Sequence, residues 1–327
     1  MREHPERATA DAERGVPPGE RAIRLGRKAP KLSVVVASFR QRALLDQCLA
    51  SLMPQCAEHG AEIVVARCCP RGEFEELEKA YPSVLFVPAP DGSGVPYLRS
   101  QGLAAAEGDV VALTEDHCVV ASDWLAQLAV AEQAGADVVG GAMDNARRSR
   151  AVDWAAYFAE YGFFAQSGNQ PGAAPLLTGA NVAYSRRVVG DVVAWARQGE
   201  WENVAHSRLL ARGSTMQFLR TAAVYQNQSY RFWDFCRDRY EHGRDYARRR
   251  LVGAPAARRW VYGTGSAILP FLLVSRVARA VAPANRRAFI RALPITFAFL
   301  TAWSVGEAVG YLLGPAADAS TAAASGS

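Results

Sequence analysis

Over the first third of the chain, short apolar runs alternate with stretches of helical spacing. Leu32 to Ala37 reads LSVVVA, an unbroken run rich in β-branched residues between Pro30 and Ser38. That length and composition predict a strand buried on both faces, as in a parallel sheet. Leu44 to Leu52 carries apolar residues at helical spacing, Ala61 to Ala66 (AEIVVA) reads as a second strand, and Phe74 to Tyr81 as a short helix. Val84 to Val87 is a third strand, Pro88 to Pro96 a Gly/Pro-rich loop, Leu98 to Glu107 an Ala-rich helix stopped by Gly108, and Asp109 to Leu113 a fourth strand. Strand and helix in strict alternation predict a doubly wound, mostly parallel α/β sheet. Ligands of such sheets bind outside the carboxyl ends of the strands. Ser38 to Gln41, Arg67 to Cys69 and Thr114 to Cys118 are therefore the first places to look.

The pattern changes toward the C-terminus. Arg231 to Arg250 (RFWDFCRDRYEHGRDYARRR) places Phe232, Phe235, Arg239 and Tyr240 on nearby helical faces, with Arg244 one turn after Tyr240. It reads either as an amphipathic helix packed on the domain or as an interfacial helix whose arginines, Arg239 and Arg244 among them, grip a phosphate. Two apolar stretches follow. Val261 to Ser275 is short for a membrane span and contains Pro270, whereas Phe289 to Leu313 is long enough, with Arg291 near its start and Glu307 inside. Arg276, Arg279, Arg286 and Arg287 lie between them, and translocating that basic linker is unfavourable. The expected arrangement is a re-entrant or interfacial segment at 261–275 and one crossing at 289–313, with the catalytic domain on the cytoplasmic face. The competing reading is a soluble helical hairpin covering the core, favoured by Glu307 and Pro294.

Composition adds limits. The chain has 327 residues, 50% of them hydrophobic and 21% charged, enough for one sizeable α/β domain plus an appendage. The net charge of +5 is modest and gives no reason to expect a nucleic-acid partner. The arginines crowd instead between Arg231 and Arg259, beside the apolar C-terminal region, as suits an anionic membrane face. The cysteines Cys48, Cys56, Cys68, Cys69, Cys118 and Cys236 fit no CxxC pair or disulfide framework and read as reduced thiols. Residues 1–30 are rich in Arg, Glu and Pro without an apolar run and are expected to be a disordered tail, as are 314–327.

The strongest chemical signal is DVVALTEDHCVVASDWL, Asp109 to Leu125. A hydrophobic strand runs straight into Glu115, Asp116 and His117. Two acids and an imidazole at a strand's carboxyl end can hold a divalent cation and, through it, a diphosphate. Taken alone, the triplet reads equally well as a solvated turn capping the next helix.

An ordered set of motifs resembles the family 2 inverting glycosyltransferases of GT-A fold. It comprises SVVVASFRQ (Ser33 to Gln41), YLRSQGLAAAEGDVVALTEDHC followed by SDWL, LLTGANVAYSRRV (Leu177 to Val188) and EWENVAHSRLLARG (Glu200 to Gly213). The resemblance covers about residues 31 to 250. It implies a GT-A domain at 31–230, which the residue pattern extends by a basic amphipathic helix (231–260) and apolar membrane-associated helices (261–313). It also implies transfer of a sugar, with inversion, from a nucleotide-diphosphate donor to a hydroxyl acceptor, lipid-linked or part of a cell-envelope glycan. By the same resemblance Ser38 and Phe39 lie near the nucleotide base, Arg99 beside the donor diphosphate, and Glu115, Asp116 and His117 at a Mg or Mn site, with Asp116 also touching the donor. Glu202 is the general base, with Glu200 two residues away as its substitute, and Asn181 of the GAN turn joins Arg239 and Arg244 as a phosphate or acceptor contact. The chain departs from the family pattern at Ala66-Arg67-Cys68-Cys69, where an Asp usually stands, in its E-D-H triplet, and at Val224-Tyr225-Gln226, where a His is often found. Two other readings compete. A nucleotidyltransferase is disfavoured because Ser38-Phe39-Arg40-Gln41 has no glycine, and a non-catalytic membrane scaffold is kept open by Arg67 and the altered triplet.

Overall fold

The computed structural model describes residues 32–133, 135–165, 172–174, 176–251 and 254–313. Both predicted tails lie outside these residues. The first four strands are β1 (Leu32–Ser38), β2 (Glu62–Arg67), β3 (Val84–Pro88) and β4 (Val110–Glu115). They pair in parallel in the order β3-β2-β1-β4. Between them run α1 (Arg42–His59), α2 (Arg71–Ala80) and α3 (Val95–Ala105). The expected alternation is therefore present, with boundaries moved by a few residues. α1 outruns its apolar core in both directions, passes Pro54 and stops at Gly60, whose φ of 62° reverses the chain.

β1 shows why this half of the sheet needs no polar face. Val34 and Val36 pack on one side with Leu45, Leu49 and Leu52 of α1. Val35 packs on the other with Leu103 of α3. Strand alternation thus feeds two cores from one apolar run. α3 comes so close that a Cβ at Gly102 would overlap the Val35 side chain.

Beyond β4 the sheet becomes mixed. β5 (Cys118–Val120), β6 (Val138–Asn145), β8 (Val182–Ser185) and β9 (Met216–Gln226) complete the order β3-β2-β1-β4-β8-β6-β9-β5, and the two-residue β7 (Gly172–Ala173) pairs with β9. β8 runs antiparallel to both β4 and β6, whereas β9 is parallel to β6. α4 (Trp124–Gln133), α5 (Ala151–Glu160), α6 (Arg186–Arg197) and α7 (Glu202–Ala211) cover this half.

Four helices end the described chain: α8 (Phe232–Arg250), α9 (Ala256–Gly265), α10 (Leu269–Ala280) and α11 (Arg286–Leu313). With the turn before it, α11 is the one helix among the described residues long and apolar enough to cross a membrane, and 33% of its most apolar window is buried. α9 and α10 meet at a bend of 56°. α11 lies along α8 and reaches α5. Phe299 packs on Phe232 and Phe235, Trp303 on His242 and Tyr246, and Phe289 on Phe158. Glycines permit the approach. A Cβ at Gly306 would overlap the Tyr240 carbonyl, one at Gly310 the Arg244 carbonyl, and one at Gly243 the Trp303 carbonyl.

Candidate active site

The carboxyl ends of β1 and β4 open into a cavity of about 520 Å³, whose far wall is built by α8, α10 and α11. Side-chain alternation at the end of β4 decides what faces it. Glu115 and His117 line the cavity, whereas Asp116 between them points back into the protein. The Asp116 Oδ2 accepts hydrogen bonds from the Ser38 hydroxyl (2.9 Å) and from the backbone N–H groups of Phe39 and Arg40 (2.7 Å each). Arg67 completes this buried knot, donating to the Ser38 Oγ (2.6 Å), the Arg40 carbonyl (3.0 Å) and Glu73 (2.6 Å). The arginine that replaces the expected Asp after β2 is thus a brace for the β1 turn. The Ser38 hydroxyl donates to the Asp116 Oδ2, and from this turn Phe39 and Arg40 line the cavity.

Arg99, buried on α3, is the hub of the site. It donates to Glu115 (2.6 Å) and to Glu202 (2.6 Å), residues far apart in sequence, and its guanidinium lies 5.6 Å from the Trp201 ring centroid. Glu202 opens α7, where the helix N-terminus favours a carboxylate, and it also accepts from the Gly179 N–H (3.1 Å). Burial works to raise the Glu202 pKa, but Arg99 and the backbone N–H groups outweigh it and hold it at about 2. Burial likewise opposes the charge on Arg99, and the two carboxylates more than offset that, raising its pKa. Glycine is required at 179, because a Cβ there would run into the Arg99 guanidinium.

His117 Nε2 lies 3.2 Å from the Tyr161 hydroxyl and 3.5 Å from Glu115 Oε2, while its Nδ1 lies 3.7 Å from Asp116 Oδ1. Burial disfavours the imidazolium, yet Asp116 and Glu115 outweigh it and raise the pKa. Among the described residues no group of three or more His, Cys, Asp or Glu side chains is placed to hold a metal ion. A Glu oxygen and a His nitrogen converging on the cavity are suitable donors for a cation whose other positions a diphosphate and water would fill. Of the E-D-H triplet, Glu115 and His117 face the cavity and Asp116 does not.

The remaining candidates separate cleanly. Glu200 pairs with Arg208 (2.7 Å) and stays out of the main cavity, so Glu202 is the carboxylate that faces it. The Asn181 side chain is buried and bonded within the fold. Its amide donates to the carbonyls of Ala142 (2.9 Å) and Ala222 (2.8 Å), and its oxygen accepts from the Trp124 indole (2.8 Å). Arg239 lines the cavity, 3.6 Å from Glu160 and 4.7 Å from the Trp303 ring centroid, but Arg244 of the same helix does not line it. Trp201 and Gly179 are residues of the site that sequence reasoning missed, and Arg40 lies in the Ser38–Gln41 segment it singled out without assigning that residue a role. Trp201 adjoins Glu202, and Gly179 lies in the same turn as Asn181, so proximity to those motifs was the available signal. All six cysteines are free, and burial pushes the Cys48 and Cys118 thiols well up.

A sheet that is parallel through β4 and mixed beyond it, flanked by helices, is a GT-A fold. Residues 33–193 match the family model described as Glycosyl transferase family 2, and this chain is a family 2 glycosyltransferase. Among solved structures it is similar to the mannosyltransferase PcManGT from Pyrobaculum calidifontis, in complex with GDP-Man and Mn2+. The identity is 17% and the TM-score 0.50, over 87% of this chain and 88% of that one. S. aureus TarS 1-349 is 15% identical, with a TM-score of 0.46, over 86% and 89% of the two chains. Comparison with the curated proteins gives no match.

Proposed function

We propose that this enzyme transfers a sugar, with inversion, from a nucleotide-diphosphate donor to the hydroxyl of a lipid-linked acceptor at the cytoplasmic face of a membrane. The observation that carries the reading is the position of Arg99. One buried guanidinium clamps the two carboxylates that a donor and an acceptor would need. A donor diphosphate beside Arg99 competes for its N–H groups, since phosphate oxygens take the same charge-assisted bonds. Drawing Arg99 away restores basicity to Glu202, which at about 2 is too weak a base to accept a hydroxyl proton. Glu202 then takes the acceptor proton as the acceptor oxygen attacks the anomeric carbon from the side opposite the leaving diphosphate.

Glu115 and His117 would hold a divalent cation here, which when bound supplies charge neutralisation for the leaving diphosphate. PcManGT, the structural neighbour, carries Mn2+ with its nucleotide-sugar, which supports the same cofactor here. Phe39 and Arg40, at the end of β1, are the residues of that turn available to the nucleotide.

Membrane attachment is supported by where apolar side chains remain exposed. Among the described residues thirteen large ones do, and ten of these lie from Trp233 onward, including Trp260, Phe271 and Leu313. α8 carries six arginines and four acids over its 19 residues, so it cannot enter hydrocarbon. Because α11 lies along α8, we favour attachment of α9, α10 and α11 to the membrane surface over a crossing by α11.

The test is a panel of nucleotide-sugars screened by thermal shift, followed by transfer assays. Glu202→Gln is expected to lower turnover by about 10²–10⁴-fold, the range for losing a general base, with donor binding nearly unchanged. Activity within a few-fold of the unaltered enzyme would remove Glu202 from that role.

A further inference from the structure

The cavity charges do not balance. Arg99 is matched by Glu115 and Glu202, Arg239 has Glu160, and Glu307 is bonded to the Trp303 indole (2.6 Å). Arg40, Arg250 and Arg276 also line the cavity, and among the described residues none of them has a carboxylate within ion-pair distance. Arg276 is the most isolated. Its guanidinium carbon lies 3.6 Å from the Phe163 ring centroid, and no hydrogen-bond acceptor among the described residues holds it. A ring face orients a cation without neutralising it.

The helix that carries Arg276 has two different faces. Leu269, Leu273 and Val277 of α10, spaced four apart, line the cavity together with Arg276, and Leu300 of α11 lines it too. Ile268, Phe271 and Leu272 point outward and are 61%, 63% and 58% exposed. α10 is therefore one helix thick between the cavity and the apolar surface that faces a bilayer in the reading above.

We propose that the outer half of the cavity binds an acceptor bearing a phosphate or phosphodiester on an apolar chain, with Arg276 pairing the anion and Leu269, Leu273, Val277 and Leu300 receiving the chain. The proposal rests on the transferase reading and deepens it by naming the acceptor class. It gives a role to an exposed cation without a carboxylate partner beside the leucines of the cavity wall, and explains why the same cavity reaches both Glu202 and the C-terminal helices. An acceptor of this kind slides around α10 from the bilayer without leaving an apolar environment, and its hydroxyl end points toward Glu202. The unmatched Arg250 adds to the positive potential of this wall.

Isothermal titration of the full chain with dodecyl phosphate below its micelle concentration tests the site. Inorganic phosphate and dodecyl maltoside serve as the anion without a chain and the chain without an anion. Dodecyl phosphate is expected to bind more tightly than either. Arg276→Gln should weaken it about tenfold or more, the scale of one charge-assisted hydrogen bond. Arg279→Gln, one turn away and exposed like Arg276 but not lining the cavity, should leave it unchanged. Inorganic phosphate binding equally well would reveal a site for free anions and overturn the proposal. Equal binding of dodecyl maltoside, or no effect of Arg276→Gln, would overturn it too. A nucleoside diphosphate is titrated in parallel. If it binds while dodecyl phosphate does not, the acceptor site alone fails, and if it too fails to bind, the transferase reading falls with it.

Discussion

Asp116 stands between two residues that face the cavity, and strand geometry alone turns it the other way. Its carboxylate closes the β1 turn by accepting three donors on the one oxygen Oδ2, and an amide oxygen in that place lacks the charge that strengthens those bonds. Asp116→Asn is expected to destabilise the fold by about 1–3 kcal/mol, seen as a lower urea midpoint, while the folded fraction still binds nucleoside diphosphate. An unchanged midpoint with lost diphosphate binding would instead make Asp116 a ligand. Arg99, Glu115, His117 and Glu202 were legible as one site because each sits in a recognisable motif. The roles of Ser38, Arg67 and Asn181 were not, because a polar residue beside a motif reads the same whether it serves a ligand or the backbone. Only the hydrogen-bond partners separate the two cases.

At the scale of elements, the strands of the parallel half were plain because both faces are buried and the runs are continuous. α8 was legible as amphipathic, but its partner was not. The helix packs against α11 through facing glycines, and close backbone approach leaves no periodic mark in an apolar sequence. Replacing Gly306 tests this contact. Gly306→Leu forces a side chain into the Tyr240 carbonyl and should cost about 1–3 kcal/mol, read as a fall in Tm. A variant of unchanged Tm would mean that α11 stands away from α8, as a crossing helix would. Because Trp303 and Glu307 of α11 line the cavity, the same substitution is also expected to weaken acceptor use more than donor binding.

At the scale of the whole molecule, exposed apolar side chains gather on α9, α10 and α11 beside an arginine-rich linker with no acid between Arg276 and Arg287. Apolar insertion and attraction to anionic lipid act together in such a surface. The protein is expected to float with vesicles containing anionic lipid and to bind neutral vesicles much less, and alkaline carbonate should release it from native membranes. Retention through carbonate would identify α11 as a true crossing and overturn surface attachment. Trp260→Ala combined with Phe271→Ser should reduce flotation while leaving nucleoside-diphosphate binding intact, since neither residue lines the cavity.

By itself the sequence determined the α/β order of the first half, the family and the motif-borne residues of the site. Each of these is written in local periodicity or in fixed spacing along the chain. The tertiary structure decided what depends on contacts between distant segments. It set the mixed half of the sheet, because antiparallel and parallel partners of β8 and β9 share one hydrophobic pattern. It turned Asp116 inward, joined Arg99 to Glu202 across 103 residues of chain with Glu115 on the same guanidinium, and laid α11 along α8 as part of the cavity wall. Apolar length allows both a membrane crossing and a packed helix. The choice between them lies in the helix's neighbours, and those are set by folding.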